Sequence, residues 1–270
     1  MIRLRYIFVI AVLVGLGCTD RNSNDDFLPR KVTVNGKEYQ YRVFVPKGPS
    51  KQERRPMMLY LHGSGSAGDD NRAQSDAFAV AIAKVKGQVD FIVVLPQCRK
   101  NTFWAAKDMA DYSLAALEAA VSEFNGDNER LYLAGFSLGG YGVWQISAGT
   151  PGKFAALMPV AGGVVGRSPI DPNDRAAIIP EVGTILESAE PYQGIAKAVG
   201  QTPVWVFHGA KDESVPVQFS RTIVKALEDE GNNNVKYTEY PDEGHLIFGK
   251  SFGEPGFLEW LAQQRLKKMQ

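Results

Sequence analysis

Runs of apolar residues recur along the chain at intervals that suit the buried strands of a parallel sheet. Met57–Leu61 and Phe91–Leu95 are continuously apolar, which is typical of strands covered on both faces. Three later runs have a similar character, and a mixed apolar and polar run follows them: Leu131–Ala134, Ala155–Ala161 and Val204–Phe207, then Val235–Tyr240. We therefore predict a strand at each of these runs.

Segments with helical periodicity separate the predicted strands. Met109–Phe124 places Leu114, Leu117 and Val121 on one face, at the spacing of an amphipathic helix. The other helical segments are Ala73–Val85, Tyr141–Ser147, Phe219–Glu230 and a closing helix marked by Phe257, Trp260 and Leu261. Strands that alternate with helices predict an α/β fold with a doubly wound, mostly parallel sheet.

The start of the folded region has a different signal. Lys31–Val34 and Lys37–Pro46 flank Asn35-Gly36, a dipeptide that favours a type I′ turn between two antiparallel strands. We predict an N-terminal hairpin that adds an antiparallel edge to the sheet. The 270 residues suit one domain, and their formal net charge is zero. Without a strong cluster of Lys and Arg, we expect no nucleic-acid partner.

The first residues have the pattern of an export signal. Arg3 and Arg5 precede an apolar run that ends at Leu16, and Gly17-Cys18 follows. This arrangement resembles a bacterial lipoprotein signal, in which the cysteine becomes the lipidated first residue. The resemblance implies a membrane partner through a lipid anchor on Cys18, and a location in the bacterial cell envelope. The alternative is a periplasmic or secreted protein in which Cys18 is incidental.

These observations divide the chain into three parts. Residues 1–18 are predicted to be the signal segment, with Cys18 as the first mature residue. Residues 19–29 are polar and acidic, which indicates a flexible tether. Residues 30–270 are predicted to form the single α/β domain.

A strand-to-helix turn carries the first chemical signal. Gly135-Phe136-Ser137-Leu138-Gly139 has the pattern G-x-S-x-G and lies between a predicted strand and a predicted helix. This context is that of a nucleophile elbow, in which the glycines allow close packing and the serine hydroxyl is held clear of the sheet. Ser137 is therefore the candidate nucleophile.

A serine nucleophile needs a general base, which in turn needs a carboxylate to orient it. The chain order at such elbows is serine, then carboxylate, then histidine. Among three histidines, only His245 follows the last predicted strand and fits this order. The carboxylate is expected in the loop after Val204–Phe207, where we choose Asp212 over Glu213. His208 is expected to pack the end of that strand.

The negative charge of a tetrahedral intermediate needs fixed hydrogen-bond donors. The backbone N–H that follows the nucleophile, that of Leu138, is one candidate. The glycine-rich stretch after Met57–Leu61 supplies the other, for which we choose Ser64 and then Gly63.

One long segment interrupts the pattern of strands and helices. Val164–Gln201 holds four prolines and follows the strand after the nucleophile helix. Long loops in compact domains are usually functional, so we interpret this segment as a short insertion over the active site. A passive surface excursion with a helical turn is the alternative.

Several motifs together resemble the α/β-hydrolase serine esterases. They are His62-Gly63-Ser64-Gly65, Gly68-Asp69-Asp70-Asn71, Leu95-Pro96-Gln97-Cys98, Gly135-Phe136-Ser137-Leu138-Gly139-Gly140, Ala161-Gly162-Gly163, His208-Gly209-Ala210-Lys211-Asp212 and Gly244-His245. The nearest branch holds feruloyl and acetylxylan esterases, polyhydroxybutyrate depolymerases and "predicted peptidase" or phospholipase-type hydrolases. The resemblance implies that Asn71 braces the oxyanion loop and that Trp104 lies near the pocket, with a core aromatic as the alternative for Trp104. Tyr141 and Tyr192 are further candidate substrate contacts.

The predicted function is an exported serine hydrolase of carboxylic esters that forms an acyl-enzyme and needs no metal or cofactor. The expected partner is a small-molecule or polysaccharide-linked ester, of the feruloyl or acetylxylan type. A peptidase, a lysophospholipase or a polyester depolymerase on the same three residues is the alternative. A non-catalytic envelope lipoprotein is the remote one.

Overall fold

A computed structural model describes residues 26–47, 53–165 and 178–266. The predicted signal segment with Cys18, residues 19–25 of the tether and residues 166–177 of the predicted insertion lie outside these ranges. The domain begins earlier than the expected residue 30. Phe27 already opens the first strand, because its ring packs 5.5 Å from that of Phe44 and 6.5 Å from that of Phe78.

Within the described residues, eight strands form one sheet in the order β1-β2-β4-β3-β5-β6-β7-β8. They are β1 Phe27–Val34, β2 Lys37–Phe44, β3 Arg55–Leu61, β4 Ile92–Pro96, β5 Gly126–Phe136, β6 Ala156–Val160, β7 Val204–Gly209 and β8 Val235–Tyr240. Strand β2 pairs antiparallel with β1 and β4, and all other pairs are parallel. The predicted mostly parallel sheet with an antiparallel edge is confirmed.

The edge hairpin has the predicted turn. Asn35 and Gly36 have φ values of 50° and 75°, and Val34 pairs with Lys37 across them. Positive φ at both central residues is what a type I′ turn requires, and it matches the twist of the flanking strands. The Asn-Gly pair therefore fixes the register of β1 on β2.

Helices cover both faces of the sheet, and each face has its own core. The helices are α1 Ala73–Ile82, α2 Lys107–Glu123, α3 Leu138–Gly149, α4 Pro180–Leu186, α5 Pro191–Val199, α6 Gln218–Asp229, α7 Phe248–Phe252 and α8 Phe257–Gln263. Helices α2 to α6 contribute to one core, and α1, α7 and α8 contribute to the other. In the described ranges, no helix combines the length and the apolar character needed to cross a membrane.

The described part of the predicted insertion forms two helices, α4 and α5, that pack beside α3. Val182 on α4 and Ile195 on α5 are completely buried in the same core as α3 and α6. Each helix has a proline in its first turn, where the missing N–H costs no hydrogen bond. Burial of these apolar side chains makes α4 and α5 part of a helical layer, in which Tyr192 of α5 interacts with Tyr141 of α3. The position of the insertion over the active site stays a prediction.

Candidate active site

The candidate nucleophile lies in a strained turn between β5 and α3. Ser137 has φ 55° and ψ −116°, a conformation that L-residues rarely adopt. Its N–H donates to the carbonyl of Val160 on the neighbouring strand β6, over 2.9 Å. This contact fixes the turn, and Ser137 remains half-buried at the carboxyl end of the sheet.

The three residues chosen from the sequence for nucleophile, base and carboxylate meet at this point. His245 Nε2 lies 2.9 Å from Ser137 Oγ, and His245 Nδ1 lies 2.7 Å from Asp212 Oδ2. His245 follows β8 and Asp212 follows β7, so neighbouring parallel strands bring them to one edge of the sheet. The ring of Phe136 lies 4.9 Å from the imidazole and supports its face.

The carboxylate is held from two sides. The Asp212 side chain is fully buried, and its Oδ1 accepts hydrogen bonds from the backbone N–H groups of Ser214 and Val215, over 2.9 and 2.8 Å. Oδ2 is thereby turned toward His245. Glu213, the neighbour that we rejected from the sequence, is exposed.

The predicted oxyanion donors adjoin Ser137. Leu138 is the first residue of α3, where an N–H has no partner within the helix. A methyl group placed on Gly63 would lie 3.4 Å from Ser137 Cβ, so the backbone after β3 adjoins the nucleophile. Ser64 opens a single 3₁₀ turn directly after Gly63.

Buried side chains fix the backbone that carries Gly63 and Ser64. His62 Nε2 accepts from the N–H of Cys98 over 2.9 Å, so Nδ1 carries the proton and donates to the Gly63 carbonyl over 2.7 Å. Burial lowers the pKa of His62 to about 4, which keeps the ring neutral. We predicted no role for His62 from the sequence, although its position at the end of β3 was a usable signal.

Trp104 supports this loop from beneath. Its Nε1–H donates to the carbonyl of His62 over 3.0 Å, and its ring is completely buried. The expectation that Trp104 contacts the substrate is therefore wrong, because no part of the ring reaches the surface. Trp104 is instead a core aromatic residue, which was the alternative prediction.

A second network holds the far end of the same loop. The Asn71 N–H donates to Gln97 Oε1 over 2.7 Å, and Gln97 Nε2 donates to the Ser66 carbonyl over 3.0 Å. Asn71 has φ 50°, and its side-chain oxygen accepts from Gln74 over 2.9 Å. Gln97 therefore links Ser66 to Asn71 through its side chain. Its position after β4 did not indicate this role.

One of the two tyrosines chosen as substrate contacts, Tyr141, interacts with Asp212, and the other, Tyr192, interacts with Tyr141. Tyr141 on α3 and Tyr192 on α5 are both half-buried. Burial, with additions from Tyr192 and Asp212, raises the pKa of Tyr141 to about 12, and burial raises that of Tyr192 to about 12. Both phenols are therefore neutral at ordinary pH and can donate a hydrogen bond.

An exposed leucine next to the base was missed by the sequence analysis. The N–H of Ile247 donates to the carbonyl of His245 over 2.9 Å, which makes Leu246 the centre of a three-residue turn. Leu246 is 87% exposed, whereas Ile247 is buried. A large apolar side chain thus projects into solvent one residue from the histidine.

A strand–elbow–helix turn with a Ser-His-Asp arrangement at the carboxyl edge of a parallel sheet defines the α/β-hydrolase class. Residues 99–262, more than half of the chain, match the prolyl oligopeptidase family. This protein belongs to that family.

Individual relatives agree with the class. The chain is 28% identical to "Putative esterase NocK" of Nocardia uniformis subsp. tsuyamanensis over 64% of this chain and 52% of that protein. It is 25% identical to "Bifunctional acetylxylan esterase/xylanase XynS20E" of Neocallimastix patriciarum over 65% of this chain and 22% of that protein. A solved thermostable esterase shares 30% identity with a TM-score of 0.67, covering 89% of this chain and 63% of its own. The predicted class, an α/β-hydrolase of the serine esterase type, is confirmed, and the chain spans about half or less of these curated relatives.

Proposed function

We propose that this protein hydrolyses carboxylic esters with Ser137 as nucleophile, His245 as general base and Asp212 as the carboxylate that orients the base. The observation that carries the proposal is the position of His245, whose two ring nitrogens are within hydrogen-bonding distance of Ser137 Oγ and Asp212 Oδ2. Asp212 keeps the proton of the neutral imidazole on Nδ1, which leaves the lone pair of Nε2 facing the serine hydroxyl.

The reaction follows from this geometry in two halves. His245 Nε2 takes the hydroxyl proton while Ser137 Oγ attacks the ester carbonyl, and the resulting oxyanion accepts from the N–H groups of Leu138 and Ser64 or Gly63. His245 then gives its proton to the departing alcohol, which leaves an acyl group on Ser137. Water repeats the sequence: it loses a proton to His245, attacks the acyl carbonyl and releases the acid, and the proton returns to Ser137 Oγ.

Esters linked to carbohydrate, of the feruloyl or acetylxylan type, are the substrates that we propose. The name of the XynS20E relative supports this class, as does the apolar and phenolic character of the site: Tyr141 and Tyr192 offer neutral donors, and Leu246 offers apolar surface for an aromatic acyl group. A peptidase is the second candidate, because the family is named for prolyl oligopeptidase.

A panel of substrates tests both the proposed ester hydrolysis and the proposed substrate class. The values of kcat/KM are compared for methyl ferulate, acetylated xylan, p-nitrophenyl butyrate, a lysophospholipid, polyhydroxybutyrate and a peptide p-nitroanilide, with Ser137→Ala subtracted as background. We expect the first two to rank highest. A higher value for the peptide or the lysophospholipid would contradict the substrate class, and no turnover of any ester would favour a non-catalytic envelope lipoprotein.

Leu246→Ser is expected to lower kcat/KM for methyl ferulate by about five- to tenfold and for p-nitrophenyl acetate by less than about twofold. The reason is that only the larger acyl group reaches the exposed leucine. Val80→Ser is the matched control, because Val80 is the other large apolar side chain among the described residues that is strongly exposed, at 79%. Equal losses on both esters in Leu246→Ser would contradict this contact.

We propose in addition that the chain is exported and anchored through Cys18, with a tether that ends where β1 begins at Phe27. The basic start, the apolar run and Gly17-Cys18 support this. Full-length protein made in a bacterial host is expected in the membrane fraction with a lipid-modified N-terminus, and Cys18→Ser in the soluble fraction. A soluble wild-type protein with an unmodified Cys18 would contradict the anchor and favour a periplasmic or secreted form.

A further inference from the structure

A second histidine, which the mechanism above does not use, also contacts the carboxylate of Asp212. His208 lies near the end of β7 and is completely buried. Its Nε2 is 2.9 Å from the carbonyl oxygen of Val215 and 3.2 Å from Asp212 Oδ2, and its Nδ1 is 2.6 Å from Ser220 Oγ on α6. From the sequence we expected only that His208 packs this strand end.

The neighbours of His208 fix its tautomer. Both oxygen atoms that face Nε2, those of Val215 and Asp212, can only accept, so Nε2 carries the proton. Its N–H donates to the Val215 carbonyl at 2.9 Å and is shared with Asp212 Oδ2 at 3.2 Å. Nδ1 then accepts from the Ser220 hydroxyl. Burial lowers the pKa of His208, which keeps the ring in this neutral form.

We propose that His208 is a positioning residue that donates to the same carboxylate oxygen that holds His245, and so sets how strongly Asp212 retains the protonated form of the base. The inference rests on the proposed function. Asp212 Oδ2 receives His245 Nδ1 at 2.7 Å and His208 Nε2 at 3.2 Å, while Oδ1 is occupied by two backbone N–H groups. Among the described residues, four donors therefore surround the carboxylate, and His208 is the side-chain donor besides the base.

The other charged or titratable groups near Asp212 and His208 have partners of their own or stay neutral. Glu239 on β8 lies opposite His208 in the sheet, and its carboxylate is bound by Arg221 over 2.9 and 2.5 Å. Tyr141 on α3 interacts with Asp212 and stays neutral, because burial raises the pKa of its phenol to about 12. The groups that face Asp212 Oδ2 directly are thus the two histidines.

The sign of the effect follows from electrostatics. A donor on Oδ2 withdraws part of the carboxylate's negative charge from the His245 imidazolium. Without that donor, His245 holds its proton more tightly, and a larger fraction of the enzyme has a protonated base at a given pH. The acid limb of the pH profile of kcat/KM should then move to higher pH. We expect a shift of about 0.5–1 unit, because the free energy lost is part of that of one charge-assisted hydrogen bond.

The test compares two substitutions that differ by one methylene group. The amide nitrogen of His208→Gln can occupy the position of Nε2 and reach Asp212, whereas that of His208→Asn can occupy only the position of Nδ1, beside Ser220. The pH profile of p-nitrophenyl butyrate hydrolysis is measured for both variants, with thermal unfolding in parallel. We expect the acid limb to move upward by about 0.5–1 unit in His208→Asn and to stay within about 0.2 unit of wild type in His208→Gln.

Ser220→Ala is the matched control, because it disturbs the same buried cluster without removing the donor to Asp212. It should lower the melting temperature while the acid limb keeps its wild-type position. Identical acid limbs in His208→Asn and wild type, or equal shifts in the Asn and Gln variants, would overturn the proposal and leave His208 a packing residue. Failure of the proposed function is a different outcome: the wild-type protein itself would then hydrolyse no ester.

Discussion

Ser137→Ala is expected to lower kcat for p-nitrophenyl butyrate hydrolysis by about 10⁴- to 10⁶-fold. The substitution removes Ser137 Oγ, which lies 2.9 Å from His245 Nε2. Without this oxygen no acyl-enzyme can form. Binding and the backbone donors remain, so a residual rate above that in water should persist. The measurement is steady-state hydrolysis, supported by the loss of phosphonate labelling at this position.

Two variants make this result specific. Ser147→Ala on the same helix removes a hydroxyl that only donates to the Trp144 carbonyl over 3.0 Å, and it should retain wild-type kcat. Ser137→Ala combined with His245→Ala should be no slower than either single variant, because the two groups act as a unit. Multiplied losses in the double variant, or an active Ser137→Ala, would exclude the proposed nucleophile.

The positions of the three candidate catalytic residues could be predicted because each follows a recognisable strand. Ser137 and Asp212 follow apolar runs, and His245 follows the mixed run of β8. Parallel strands bring their carboxyl ends to one edge, so knowing the strand that precedes Ser137, Asp212 or His245 was enough to place it. The Asn35-Gly36 turn was predictable for a similar reason, since few other dipeptides tolerate two positive φ values. In each case a local pattern carries the information.

Features that depend on a pairing between distant atoms could not be predicted. Strand β5 begins at Gly126, five residues before its apolar run, because the buried ion pair of Arg130 with Asp127 makes polar residues tolerable there. The five-residue helix α7 is too short to display a period. The contact of His208 with Asp212 exists only because the loop after β7 turns back on its own strand.

Gly139→Ala is expected to destabilise the fold by about 4 kcal/mol or more, which corresponds to a fall in melting temperature of about 8–16 °C or to insoluble protein. A Cβ on Gly139 would lie 1.9 Å from the carbonyl oxygen of Leu61 and 3.0 Å from that of His62. Both atoms are backbone at the end of β3, in the middle of the sheet, so they cannot move aside as a flexible side chain could. The measurement is thermal unfolding of purified protein.

Gly87→Ala is the matched control, because no atom lies within 4 Å of the added methyl group and the local φ is not positive. Its free energy of unfolding should stay within about 0.5 kcal/mol of wild type. Any folded fraction of Gly139→Ala should also show a reduced kcat, since relieving the overlap separates the Leu138 N–H from the Gly63–Ser64 backbone across the oxyanion site. A variant with wild-type stability and kcat would mean that α3 does not pack closely against the end of β3. This result would contradict the close contact between the elbow and the oxyanion loop.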